Sequence, residues 1–394
     1  MEQGNKETGL PKWVLAIIGA VACLLLFVGA TLMTVLELDG PQSTLAPDGP
    51  VAARQYEIFL ITIWVSIGIF VVVGSFMAYC LLRFRHKGEI TPDTPLPPQG
   101  HGNALLEIGL ILVSVVLVAI MVFPTIPGIF YTGTVPAHED VLVVRVTGYQ
   151  WWWKFEYPDY GVVTANELAM PAGRPVKFDL RTADVIHSFW VPRLGGKIDM
   201  MPNQENWLWL QADPSVARGA IDPETGKERD GIFYGQCAEY CGESHAFMRF
   251  RVRVLSSAEF AGWMTEQKAD AVPPTTVAEI SGNKIFDQMQ CGICHTVRGN
   301  PAAAGQKGPD LTHVGSRLTI AAGTLDNNID NLRQWIHDPN SVKPGNLMWE
   351  QGYLPKREGL PEEVNNLRMG VMPRLDELSD QDFESLVHYL SSLK

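Results

Sequence analysis

Three long apolar runs near the N-terminus constrain this chain more than any other feature: Trp13–Leu36, Ile58–Leu82 and Ile108–Tyr131. Each is free of charged residues over a length that meets the roughly 20 residues a helix needs to cross a bilayer. A buried helix of a soluble domain is a poor rival reading for runs of this length. Pro124 and Pro127 in the third run predict that regular helix stops near Phe123 and the segment ends by about 127. The expectation is a transmembrane anchor over 1–130 with helices at about 13–36, 58–82 and 104–127. The first run has rivals as a signal peptide, since Lys6 and Lys12 precede it, or as a lipoprotein signal at Cys23. It exceeds the 7–15-residue apolar core of a signal peptide and no A-x-A site follows, so a retained helix is preferred. Arg83, Arg85 and Lys87 follow the second run, whereas the 37–54 loop carries Glu37, Asp39 and Asp48 against one Arg54. The positive-inside rule then places residues 83–103 and the N-terminus in the cytoplasm and everything after about 128 outside.

The remainder reads as soluble. The net charge of -12 comes without a long basic run, which excludes nucleic acid as a partner and suits a basic soluble one. Residues 138–260 read as short strands: VLVVRVTGYQWWWKFEY and RPVKFDLRTADVIHSFWVP are rich in β-branched and aromatic residues between Pro, Gly and Asp turn signals. A sandwich or Greek-key barrel is expected. Cys23 and Cys80 lie in apolar runs, and the other four cysteines form two close pairs, Cys237/Cys241 and Cys291/Cys294.

The first pair belongs to the loop Cys237-Ala-Glu239-Tyr-Cys241-Gly-Glu-Ser-His245-Ala-Phe-Met248, with His187 fifty residues earlier at a strand end. Two thiolates, two imidazoles and a thioether form a soft ligand set of the type copper electron-transfer sites use. An extracytoplasmic disulfide and a structural zinc site are the rivals, and neither gives Met248 a role.

Together, this loop, the D-V-I-H-S-F-W segment and the G-Y-Q-W-W-W stretch closely resemble subunit II of cytochrome c oxidase, over roughly residues 55–260. The resemblance implies a cupredoxin-like fold holding a binuclear, mixed-valence copper centre, CuA. Carried over by position, it makes Cys237 and Cys241 the bridging ligands, His187 and His245 the capping imidazoles, Met248 a weak ligand and Glu239 a backbone-carbonyl ligand. It also directs the Glu239 carboxylate toward a magnesium or manganese ion at the interface with subunit I, and makes Trp151 the tryptophan of electron entry. For Trp153, ordinary packing is preferred. Glu107, opening the third apolar run, falls where the family has a glutamate near a proton-uptake path. However, the following IGLILVSVV lacks the usual Trp-Thr and Pro, and a glutamate snorkelling at the interface is a close rival.

Beyond a polar, Pro-containing linker at 268–276 comes Cys291-Gly-Ile-Cys294-His295, the C-x-x-C-H pattern of covalent haem c attachment, in a domain spanning 277–394. Helices are expected at Ala278–Met289, Leu332–His337 and Asp380–Leu393. Lys307-Gly-Pro309-Asp-Leu resembles the haem-edge loop of class I c-type cytochromes, so this domain is expected to be all-α. Electron-transfer haem c commonly takes a Met axial ligand. Met348, in a segment similar to the ligand loop of mitochondrial-type cytochrome c, is preferred over Met372, with Met369 third.

The whole chain thus resembles a membrane-anchored oxidase subunit II fused to a cytochrome c. The implied partners are the haem-copper subunit I, other oxidase subunits, an external electron donor and the lipid bilayer. The implied location is a bacterial plasma membrane with both soluble domains on the periplasmic or extracellular side. Oxygen reduction coupled to proton pumping would take place on subunit I, not on this chain. A quinol oxidase subunit II shares the fold but lacks the copper ligands. The electron-entry subunit of a nitric-oxide reductase and a free-standing membrane-anchored carrier remain alternatives.

Overall fold

The structure is a computed structural model that describes residues 40–85, 91, 100, 102–137, 140–223, 225–352 and 378–394. The expected helix at 13–36, Cys23, Met369 and Met372 lie outside the described residues. The chain divides into a unit containing the apolar helices and a second unit of residues 41–53 and 131–394.

Two helices are long and apolar enough to cross a membrane: α1 (Pro50–Phe84) and α2 (Ala104–Thr132). Their large apolar side chains, Trp64, Phe70, Phe76 and Phe123 among them, are exposed along the length, as a lipid-facing or subunit-facing surface requires. The expected break near Phe123 is not found, because α2 continues through Pro124 and Pro127 to Thr132. In a hydrocarbon environment an unwound backbone is costlier than a proline inside a helix, provided neighbours serve the carbonyls around the break. Here the Thr125 hydroxyl donates to the Met121 carbonyl at 2.7 Å and Arg54 donates to the Pro124 carbonyl at 3.4 Å.

The second unit begins with a two-sheet sandwich. One sheet has the order β3-β2-β1-β5-β8 and the other β4-β10-β9-β6-β7. The strands are β1 (Leu142–Tyr149), β2 (Trp152–Tyr157), β3 (Val162–Ala165), β4 (Glu167–Pro171), β5 (Val176–Thr182), β6 (His187–Trp190), β7 (Ile198–Met200), β8 (Asn206–Leu210), β9 (Ile232–Cys237) and β10 (Arg249–Leu255). Alternate residues of β1 and β5 are buried, the period of two that a half-buried strand imposes. The inward side chains Val144, Val146, Trp153, Phe155, Phe178, Phe189 and Phe250 build the core. The first turn of α1 joins this core through Val51, and the Asp48–Arg193 ion pair at 2.5 Å holds the segment just before it.

Helix α3 (Ser257–Lys268) follows β10, started by a reciprocal capping box between Ser256 and Glu259. The helical domain then packs α4 (Val277–Gln288) across α8 (Asp380–Ser392), with α5 (Ile329–His337), α6 (Pro339–Val342) and α7 (Leu347–Gly352) between them in sequence. Gly282 permits that crossing, since a Cβ there would stand 2.0 Å from the Ser385 carbonyl oxygen. Phe286 and Tyr389 meet edge-on at 5.7 Å, and Arg333 pairs with Glu384 at 2.5 Å to tie α5 to α8.

Candidate metal and haem centres

His187 opens β6, Cys237 closes β9, and the twelve-residue loop from Cys237 to Met248 leads into β10. Because β6 pairs with β9, with Phe189 opposite Cys237, His187 is brought to the mouth of the cysteine loop. The two thiol sulfurs stand 3.8 Å apart as free cysteines. His187 Nδ1 lies 3.9 Å from Cys237 Sγ, and His245 Nδ1 lies 3.5 Å from Cys241 Sγ. Met248 Sδ is 3.8 Å from Cys241 Sγ, and the Glu239 carbonyl oxygen is 3.2 Å from Cys237 Sγ. Thus all six donors named from the sequence converge, with His187, Cys237, Cys241 and Met248 buried. The Glu239 side chain is exposed.

The contact between the two thiols couples their ionisation. The Cys241 thiol holds the Cys237 thiol far below its ordinary pKa, against the effect of burial, with His187 helping. The same contact, and burial, push Cys241 up. Burial opposes ionisation of Asp184, yet its contacts with His187 Nε2 at 2.8 Å and with the Gln150 and Val185 amides hold its carboxyl below the usual range. Asp184 thereby orients the His187 ring and leaves Nδ1 for the cysteine side, the outer-shell arrangement common for ligating histidines. Asp184 and Gln150 stand in the D-V-I-H-S-F-W and G-Y-Q-W-W-W segments, but the sequence alone assigned neither a role.

In the helical domain Cys291, Cys294 and His295 line a cavity of about 430 Å³. Its walls include Phe286, Leu332, Ile336, Leu386 and Leu390, with Met348 on the same cavity. His295 Nδ1 donates to the Pro309 carbonyl at 2.8 Å, which leaves Nε2 as the free ring nitrogen. Gly308 permits this approach, because a Cβ there would meet the His295 ring at 2.5 Å. Burial lowers the pKa of His295, which keeps the imidazole neutral as a ligand must be.

The same cavity is bounded by Tyr149, Trp151, Trp152 and Asp184 from the sandwich. Trp151 Nε1 donates to the Cys241 carbonyl at 3.0 Å, and Gln150 Nε2 donates to that oxygen at 2.7 Å. Trp151 therefore touches the cysteine loop and borders the haem-motif cavity. Trp153, by contrast, is fully buried among Phe189 and Phe250, the packing role expected of it. Glu107 lies exposed in the first turn of α2, where its charge favours the helix N-terminus.

Comparison with known proteins decides the family. Cytochrome c oxidase subunit 2 of Alkalihalophilus pseudofirmus is 35% identical over 89% of this chain and 91% of that protein. The chain belongs to the cytochrome c oxidase subunit 2 family. The same-named protein of Bacillus subtilis is 36% identical over 89% of this chain and 92% of its own. Residues 162–255 match the family described as cytochrome C oxidase subunit II, periplasmic domain, and residues 280–394 match cytochrome c. Quinol oxidase subunit 2 of Bacillus cereus is 32% identical over 65% of this chain and 80% of that protein. The chain is thus a subunit of a haem-copper oxidase, with a domain that implies CuA copper and one that implies haem c.

The residues present fit both groups. Two thiols, two imidazoles, a thioether and a carbonyl converging around the buried pair Cys237 and Cys241 suit copper. A tetrahedral zinc site would leave Met248 and the Glu239 carbonyl without a function. The apolar cavity beside the C-x-x-C-H motif has the size and lining of a cofactor site.

Proposed function

We propose that this chain is the electron-entry subunit of a respiratory haem-copper cytochrome c oxidase. It takes electrons from an external donor and delivers them to subunit I, where oxygen is reduced with proton pumping. When bound, haem c and CuA supply two one-electron redox stations. Cys291 and Cys294 would hold the haem covalently, and His295 and Met348 would serve its iron. Cys237 and Cys241, together with His187, His245, Met248 and the Glu239 carbonyl, would hold the coppers. Trp151 is the residue between the two centres. The Glu239 carboxylate is assigned to a magnesium or manganese ion at the subunit I interface, and Glu107 to the cytoplasmic mouth of a proton path. The protein is assigned to a bacterial plasma membrane with both soluble domains outside, a location that the two apolar helices support.

The observation that supports this reading most is the double engagement of Trp151. Its indole donates to the backbone of a cysteine ligand while the same residue borders the haem-motif cavity. The test is metal analysis with optical and EPR spectra of the full chain in detergent. A mixed-valence binuclear copper signal beside a low-spin haem c is expected. Zinc at Cys237/Cys241, or a pair empty of metal beside a loaded haem, would refute the oxidase role.

A further inference from the structure

Lys343 is only 4% exposed, although it carries an ammonium group. It sits on the loop that leads from α6 to α7, five residues before Met348, and lines the haem-motif cavity. Its Nζ donates to the carbonyl oxygen of Trp151, a residue 192 positions away in sequence. Among the described residues it forms no salt bridge, and an ionised Cys241 would favour its charged form. Burial lowers its pKa to about 7, and Cys241 opposes that shift. A buried cation without a carboxylate is costly, and such groups persist where position or charge is used.

The loop that presents Lys343 is rigid. The Asp338 carboxylate accepts the Asn340 and Ser341 amides at 3.2 and 3.1 Å. The Asn346 side-chain amide donates to the carbonyls of Pro339 at 3.0 Å and Lys343 at 2.6 Å, and the Gly345 amide donates to Asn340 Oδ1 at 2.9 Å. Its tip is also fastened to the cysteine loop. The Ser244 hydroxyl, fully buried, donates to the Pro344 carbonyl at 2.7 Å. A Cβ on Gly345 would stand 2.5 Å from Glu243 Oε2 and 3.5 Å from the Trp151 ring. One short segment therefore carries Met348 toward the haem cavity and grips the backbone of Trp151 and the loop of Cys241.

We propose that Lys343 is a positioning residue for electron transfer between the two centres, holding Trp151 in register and bringing an ammonium group to the residue that contacts the cysteine loop. This inference rests on the electron-entry reading. A positive charge there favours the copper state that has gained an electron, and the grip on the Trp151 carbonyl ties that residue to the segment that carries Met348.

The test uses the full chain in detergent with both cofactors. Wild type, Lys343→Met and Lys343→Arg are compared by the rate of internal haem-to-copper transfer after photoreduction and by redox titration of the copper signal. Hydrogen exchange of residues 148–153 is followed in copper-depleted protein. Lys343→Met is expected to slow the internal step by about tenfold or more, since small displacements near a reacting centre cost up to about 10²-fold. It should also lower the copper potential and speed exchange at 148–153, with the haem spectrum and copper loading kept. Lys343→Arg, which retains charge and donors, should restore most of the potential. A Lys343→Met protein with wild-type rate and potential overturns the inference while leaving the electron-entry reading intact. Should Lys343→Met fail to fold, a Lys343→Arg protein whose potential falls with loading unchanged overturns the charge role. A wild-type chain without the copper signal overturns both.

Discussion

Trp151, Trp152 and Trp153 are identical in side chain and adjacent in sequence, yet they meet three environments. Trp153 faces the sandwich core, Trp152 stacks on Tyr149 at 4.4 Å, and Trp151 turns to the cysteine loop. Strand alternation separates Trp152 from Trp153, whereas Trp151 precedes β2 and is free of that alternation. Similar reasoning applies to the methionines. Met348 borders the cavity that holds His295, whereas Met372 lies outside the described residues. Met348→Leu is expected to leave haem c covalently attached but lower its reduction potential, since Met ligation raises it. Redox titration checks this, and a silent Met348→Leu beside an affected Met372→Leu would move the ligand to Met372.

Among the strands, β9 and β10 depend on one glycine. Gly235 pairs with Phe250, whose ring lies where a Cβ would be, at 2.1 Å. Gly235→Ala is therefore expected to destabilise the sandwich by about 1–3 kcal/mol through overpacking, measurable as a drop in Tm. In the helical domain Arg333 holds the Glu384 carboxyl below its usual range, with slight burial opposing. A depressed folded pKa contributes stability above the unfolded value, near ~4.3, and loses it as pH falls through the folded value. The Tm difference between wild type and Glu384→Gln should hold at neutral pH and shrink below about pH 4. Most of this domain's helices were legible from periodicity: the observed Val277–Gln288 and Asp380–Ser392 differ by one residue at most from the expected ends. Helix α3 was missed, although the Ser256…Glu259 capping box that starts it stands in the sequence. The prolines of α2 misled because proline's penalty was judged as in water, where an open helix end can be solvated.

Across the second unit the helical domain is not a loose appendage. The Leu318 amide donates to the Glu167 carboxylate at 2.8 Å, the Arg249 amide to the Ala322 carbonyl at 3.0 Å, and Arg251 to the Gly323 carbonyl at 3.2 Å. The 268–276 segment is itself held, since Arg298 donates to the carbonyls of Gln267 at 2.5 Å and Ala269 at 2.7 Å. A flexible tether would raise the effective concentration of one domain near the other, whereas these bonds hold one docked geometry. The net charge of -12 adds a long-range field that favours a basic donor. Reduction by such a donor is expected to slow several-fold between about 0.02 and 0.5 M salt as the field is screened. The internal step should not change. Stopped-flow and photoreduction measurements on the same preparation separate the two.

The ligand chemistry is written locally, and so it could be read from the chain. Cys237 to Met248 occupies twelve residues, and Cys291 to His295 five, so backbone geometry alone brings those donors close. The membrane helices follow in the same way from apolar length. His187 lies fifty residues from Cys237; the chain offered it as a strand-end imidazole, but only the pairing of β6 with β9 brings it to the cysteines. Lys343 carried no signal at all, because its meaning depends on a carbonyl 192 residues away across a domain interface. Strand register and domain docking are sums of many weak contacts between distant segments. A linear pattern of residue types does not encode which distant pair those sums bring together.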